Sequence, residues 1–319
     1  MATLNDTSKS NEDLVFNYRT LRLIIGALAF AFPAMVIALT GKVTTSISAS
    51  YHEVPTRDLF VGFLFVIGAL LISYKGHVQE VIGSEHPTLL TRLWDWLKTH
   101  QEDVVGSIGG MAAIFTALNP TACGDCSMNT KAIIHSAGAF VLFSSVVYFS
   151  LIAFLRSLNR KLLDYAELKQ NNGFREHIET IRQATSRQDV NLLRQLWNTV
   201  TREMQIFLAI TAAEYRRYDR EKGLVKIARL LRLHDKKIAR GIVYVVCGSL
   251  IALTLLAFLV LLLAGKAAQT TTFVVETIAL VLFGIAWMTA SKLEYFTTIL
   301  NWWRTRQEKT ATVTRPEAA

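Results

Sequence analysis

Six stretches of this chain are apolar over the length that a helix needs to cross a bilayer, and nothing else in the sequence restricts the fold as much. They cover about 21–40, 58–75, 104–119, 132–155, 241–264 and 272–290. Each is close to the roughly 20 residues that span a hydrocarbon core of about 30 Å. Lipid offers no hydrogen bonds, so a spanning segment must satisfy its own backbone as a helix or in a closed barrel. Long apolar runs without strict alternation predict helices. The 51% hydrophobic content and the mean hydropathy of +0.32 agree with a polytopic membrane protein.

Two windows have features of their own. The third, Val104-Val-Gly-Ser-Ile-Gly-Gly-Met-Ala-Ala-Ile-Phe-Thr-Ala-Leu-Asn119, is short and rich in small residues. Such a helix suits the interior of a bundle, where small side chains let backbones approach closely. The first carries Pro33, which predicts a kink. Small residues at Ser48-Ala49-Ser50 resemble a cleavage site, but the apolar run before them exceeds the usual signal-peptide core, so an uncleaved helix is expected.

Charge is placed very unevenly. Residues 156–240 hold 19 Lys and Arg against 10 Asp and Glu, which accounts for the whole net charge of +9. Basic residues beside window ends set orientation. Arg19 and Arg22 precede the first window, Arg156, Arg160 and Lys161 follow the fourth, and Lys236, Lys237 and Arg240 precede the fifth. Lys292, Arg304 and Arg306 follow the sixth, whereas the connection 265–271 has only Lys266. Both termini and the 156–240 segment are therefore expected in the cytoplasm, with the protein in the plasma (inner) membrane.

The connections carry their own patterns. Leu89, Leu90, Leu93, Trp94 and Leu97 recur at helical spacing, with Trp96 alongside, which predicts an amphipathic helix at the membrane interface. The 156–240 segment reads as helices, with a break at Asn171-Asn172-Gly173. Its last piece, Gly223 to Lys237, is basic and amphipathic, suited to anionic headgroups or to plain solvation.

Glu276 is the costliest residue in this reading. It lies within Thr272-Phe-Val-Val-Glu276-Thr-Ile-Ala-Leu-Val-Leu-Phe-Gly-Ile-Ala-Trp-Met-Thr289, with no basic residue nearby in sequence. A carboxylate at membrane depth costs roughly 2.5–3.5 kcal/mol on insertion scales and normally faces a partner or a water-filled cavity. The expected topology puts Glu276 about one turn below the outer boundary. His135, the only histidine inside a window, has the same depth, and Arg57 and Asp58 open the second window at that boundary. His135 and Glu276 are thus a candidate acid and base, with Arg57 suited to a phosphate. Ordinary interface polarity with a hydrogen-bonded packing pair is the other reading of the same residues.

Several chemistries are excluded or weakened. Zinc hydrolysis needs about three His, Cys or carboxylate ligands, and one His at depth does not supply them, so no metal is expected. No nucleophile elbow, phosphate-binding loop or dinucleotide fingerprint occurs, and no cofactor is implied. The basic segment lacks the aromatic interleaving of a nucleic-acid surface. Cys123-Gly-Asp-Cys126 would face an oxidising compartment, so Cys123 and Cys126 are a disulfide candidate or unpaired thiols.

The motifs Ser46-Ile-Ser48 with Tyr51, Arg57-Asp-Leu-Phe-Val-Gly62, Tyr74-Lys-Gly76, Ile134-His135 and Glu276 to Trp287 resemble those of an uncharacterised family of bacterial six-helix integral membrane proteins. More remotely, Gly106 to Ala112, His135-Ser-Ala-Gly-Ala139 and Glu276 look like the DRAM/Sfk-type membrane superfamily. That resemblance implies lipid handling, and relatives have a short connection where this chain has 156–240. It brings Ser46, Ser48 and Tyr51 into the candidate binding set with Arg57 and Asp58.

The expected architecture is all-α, a bundle of six transmembrane helices with a helical cytoplasmic insert between helices 4 and 5. Its parts are an N-terminal tail at 1–20, helices 1–4 at 21–155, the insert at 156–240, helices 5 and 6 at 241–290 and a C-terminal tail at 291–319. Three functions fit. One is a lipid-headgroup or lipid-anchor site, binding or remodelling, near the outer leaflet. Another is a signalling or scaffold protein that recruits a cytoplasmic partner through 156–240. The last is a proton-coupled transporter, for which the chain lacks inverted repeats.

Overall fold

The computed structural model describes residues 3–54, 56–76, 89–121, 130–164, 172–184, 192–217, 224–264 and 269–291, and these are mostly helical with no strand among them. Helix α1 is Thr3–Thr40, α2 Thr56–Ile72, α3 Leu89–Thr99 and α4 Gln101–Leu118. Helix α5 is Thr130–Tyr148, and it runs through a π-helical stretch, Phe149–Phe154, into α6, Leu155–Leu163. Beyond it come α7 Asn172–Ala184, α8 Leu192–Arg217, α9 Leu224–Leu263 and α10 Gln269–Ala290.

Among the described residues, four helical stretches are long and apolar enough to cross a membrane: Arg19–Thr40, Thr130–Leu163, Lys236–Leu261 and Thr271–Ala290. Helix α2, of 17 residues, and the glycine-rich α4 pack among them, α2 along α4 and α4 along α5, while α1 and α9 both lie along α10. The amphipathic helix expected near Leu89 is α3, and Leu89, Leu93 and Trp96 on it are exposed. Pro33 sits inside α1.

Small residues set the interhelix distances. A Cβ on Gly26 would lie 2.8 Å from the Gly284 carbonyl oxygen, and one on Gly284 would lie 2.7 Å from that of Gly26. Helices α1 and α10 therefore touch backbone to backbone. Gly68 and Gly110 repeat the arrangement between α2 and α4, at 2.7 and 2.5 Å. Gly106, Gly109, Gly110, Ala112 and Ala113 are all buried, so the small-residue face of the window packs inside the bundle, while Ile108, Met111, Phe115 and Leu118 leave its other face exposed.

The 156–240 segment is more closely joined to the bundle than the sequence suggested. Helix α8 packs on α6, the π-helical stretch and α9, and a Cβ on Gly241 of α9 would run into the Phe207 ring of α8. The basic amphipathic piece and the fifth apolar window form one helix, α9, rather than two. Their junction is nonetheless marked, because Lys236 has φ of 62°. A side chain in the left-handed region costs about 1–2 kcal/mol, so the backbone departs from helical geometry where the basic piece meets the apolar one.

Filling the glycine contacts tests this packing. Gly284→Leu and Gly110→Val should each lower stability by about 1–3 kcal/mol, the usual cost of overpacking. Gly62, inside α2, is the control, because a Cβ added there would have nothing within 4 Å. Gly62→Ala should be neutral or stabilise by up to about 1 kcal/mol. Thermal unfolding of the purified protein in detergent reads all three.

Candidate functional site

The backbone contact between α1 and α10 decides what meets Glu276. After α1 the chain turns at Gly41, where φ is 66°, and folds back into the bundle. Ile47, Ser48 and Ser50 are buried there, although they belong to a polar connection. Thr44 Oγ1 donates to the Ser46 carbonyl at 2.7 Å, and the Ala49 amide donates to Ser46 Oγ at 2.8 Å. These bonds start a 3₁₀ turn, Ser48–His52, with its first amides pointing inward. Thr56 closes the segment by donating to the Ser50 and Glu53 carbonyls at 3.2 and 2.9 Å.

Those inward amides bind the expensive carboxylate. The Ile47 amide donates to Glu276 Oε2 at 2.6 Å, with the Ser48 amide at 3.4 Å from the same atom. Ser48 Oγ donates to Oε1 at 2.6 Å. The start of a helical turn gathers unsatisfied amides and favours an anion, so this side chain is held without a cation. Among the described residues no basic side chain is paired with it. A carboxylate offers about four lone-pair positions, so Oε1 can still accept a further hydrogen bond.

His135 has other partners. Its Nδ1 lies 3.0 Å from the Thr116 carbonyl oxygen and 2.8 Å from that of Asn119. Carbonyls only accept, so Nδ1 carries the proton, and the imidazole closes the C-terminal end of α4, where carbonyls lack helical partners. The expected acid and base are thus not hydrogen-bonded to each other. They are neighbours of one cavity all the same. A space of about 40 Å³ is lined by Phe32, Phe60, Phe63, Ser48, Thr116 and Glu276, and Phe60 stacks on the His135 ring at 6.1 Å.

The rest of the candidate set divides. Arg57 and Tyr51 come together, the guanidinium carbon 4.9 Å from the ring centre and Nη2 3.5 Å from the hydroxyl. Both sit at the rim, as does a surface pair between Lys42 and Glu53 at 3.0 Å. His52 Nε2 reaches the Thr121 carbonyl oxygen at 3.0 Å and ties the turn to the end of α4. Asp58 is exposed on α2 and joins none of these hydrogen bonds. Cys123 and Cys126 lie outside the described residues. Among the described residues no group of three or more His, Cys, Asp or Glu could hold a metal.

A second polar centre, at the other end of the bundle, escaped the sequence reading. Arg156, only 8% exposed, has Nε 3.4 Å from Glu203 Oε1 of α8 and Nη1 4.0 Å from Glu102 Oε1 of α4. Asn159 Nδ2 donates to the Glu203 carbonyl and to Oε2, at 3.0 and 3.1 Å. The Tyr74-Lys-Gly76 motif feeds the same region: the Gly76 amide donates to Asp103 Oδ1 at 2.5 Å, and Arg22 Nη2 donates to the Tyr74 hydroxyl at 2.8 Å. Trp287, fully buried, packs its ring against Tyr74, Phe149 and Phe154 at 5.6, 5.4 and 5.3 Å. The usable signal was the pair Glu102-Asp103 at the mouth of one window opposite Arg156 at the end of another.

No family model, curated protein or solved structure matches this chain.

A double-mutant cycle tests the bond at Glu276. Ser48→Ala should cost about 1.5–3 kcal/mol, the usual worth of a hydrogen bond to a charged group. After Glu276→Ala has removed the acceptor, the same change should cost close to nothing. Equal costs in both backgrounds, by thermal or denaturant unfolding, would mean that the hydroxyl and the carboxylate do not interact.

Proposed function

We propose that this is a six-span integral membrane protein that binds the polar part of a lipid at its outer end, around Glu276. In this reading α2 and α4 are the second and third spans, both termini and the 156–240 segment lie on the cytoplasmic side, and the loop 41–55 faces outward. The observation that carries it is the Glu276 cavity: four phenylalanine rings beside one carboxylate, one seryl hydroxyl and one threonine. Apolar walls with a few placed polar groups are what ligand sites share. The lipid-handling role implied by the motif resemblance points the same way.

Two further features favour headgroup binding. Glu276 Oε1 accepts from Ser48 and has room for one more donor, which an ammonium or hydroxyl of a headgroup would supply. Arg57, laid on the Tyr51 ring at the rim, presents guanidinium donors to a phosphate. His135 holds the α4 end that brings Thr116 to the cavity. Its role is therefore to position the wall, and general acid-base chemistry with Glu276 is no longer the preferred reading. A cavity of about 40 Å³ is far below the roughly 300 Å³ at which pockets enclose a whole ligand, which favours engagement of a headgroup at the rim over passage of a solute.

Lipid retention tests the proposal. Protein extracted in mild detergent should carry a headgroup-specific lipid, detectable by native mass spectrometry. Glu276→Gln should weaken that retention about tenfold, equal to about 1.4 kcal/mol. Arg175→Gln and Arg182→Gln, on the exposed side of α7, should leave it unchanged. Retention that ignores Glu276 and follows the α7 changes would instead support an activity centred on 156–240. Deleting that segment is a poor test, because it would strand Arg156 without Glu203.

A further inference from the structure

Helix α8 buries one apolar face and leaves much of a second one exposed. Glu203, Ile206, Phe207, Ile210 and Glu214 are buried on the face toward α6 and α9. Trp197, Leu208 and Tyr215 lie on a second stripe with Thr201 and Met204, spaced by three, four or seven residues, which puts them on one side of a helix. Trp197, Leu208 and Tyr215 are 67%, 60% and 45% exposed, with the Lys226 ammonium 3.9 Å from the Tyr215 ring centre. The charge on this helix is just as one-sided. Arg194, Arg216 and Arg217 are exposed and Arg202 is half-buried, while both glutamates of α8 are buried.

The contacts of α8 locate that stripe. Phe207 closes on Gly241, which also has Leu158 beside it, and Glu203 meets Arg156 and Asn159. All four positions lie near the ends of stretches that are apolar enough to cross a membrane, Thr130–Leu163 and Lys236–Leu261. The middle of α8 is therefore fixed at the edge of the hydrocarbon layer, not out in solvent. We propose that α8 is an interfacial helix that rests on anionic phospholipid, with Trp197, Leu208 and Tyr215 inserted at the boundary between headgroups and acyl chains. Arg194 and Arg216 then meet headgroup phosphates, while Arg202 is turned to Glu203 Oε1 at 3.4 Å. An aromatic and aliphatic stripe flanked only by arginine is the pattern of helices that lie in that plane, and each basic residue near an anionic surface strengthens the attraction. The inference uses the membrane reading of the chain but is independent of any ligand at Glu276.

Fluorescence of the full chain in proteoliposomes tests it. The difference in emission between the wild type and Trp197→Phe reports on Trp197, and the site is exposed enough for this change to leave the fold intact. In bilayers containing brominated phosphatidylglycerol, the difference emission should be strongly quenched, and aqueous iodide should have little effect. Arg194→Gln with Arg216→Gln should reduce the quenching by brominated lipid at low salt and matter less at high salt. Emission quenched by iodide but not by brominated lipid would overturn the proposal. Emission shielded from both would also overturn it, because the stripe would then be covered by protein.

Discussion

Two glycines decide the geometry of this protein. Gly26 on α1 and Gly284 on α10 lack the side chains that would hold their helices apart, so each helix presses on the other's carbonyl. That contact fixes the register of antiparallel neighbours. From Gly26 to the end of α1 the helix rises about 21 Å, but from Gly284 back to Glu276 the distance is only about 12 Å. The chain after α1 must therefore fold back by roughly the difference to reach the carboxylate. The buried Thr44 and Ser46 are what let it do so, because their side chains satisfy a backbone that has left the surface.

Helix α10 also explains why the bundle has two separate polar centres. Glu276 and Trp287 are eleven residues apart, about 16 Å along a helix and almost on the same face. One end of that face meets the amides of the 3₁₀ turn. The other enters a cluster of aromatic rings beside Arg22 and Tyr74. At this second end Arg156 holds α4 and α8 together through two buried carboxylates. Buried ion pairs add little net stability, but removing one partner strands the other and costs about 3–5 kcal/mol. The network is therefore better read as fixing where α8 docks than as strengthening the fold. An α8 fixed near the ends of stretches that are apolar enough to cross a membrane is where the proposed lipid contact would fall.

The sequence showed a good part of this and hid the rest for physical reasons. Apolar length revealed the helices, small residues revealed which face of α4 is buried, and isolation in an apolar run singled out Glu276. The partner of Glu276 was hidden because most of its donors are backbone amides, which nearly every residue carries, set 228 and 229 positions away in sequence. His135 was placed at the right level, beside Phe60 and Thr116, but its bonds go to carbonyls that no residue pattern advertises. Glu203 looked like one acid among many in a solvated basic segment, and only the fold shows that it is buried against Arg156. Residue types thus revealed which groups are costly. The groups that offset the cost came mostly from backbone and from distant segments.

The amides of Ile47 and Ser48 are held by the Glu276 carboxylate. Residue-resolved hydrogen exchange of the protein in nanodiscs measures this directly. Both amides should exchange slowly in the wild type and speed up in Glu276→Ala, with the rest of α1 and α10 unaffected. Fast exchange at Ile47 and Ser48 in the wild type, or protection that survives loss of the carboxylate, would contradict the account.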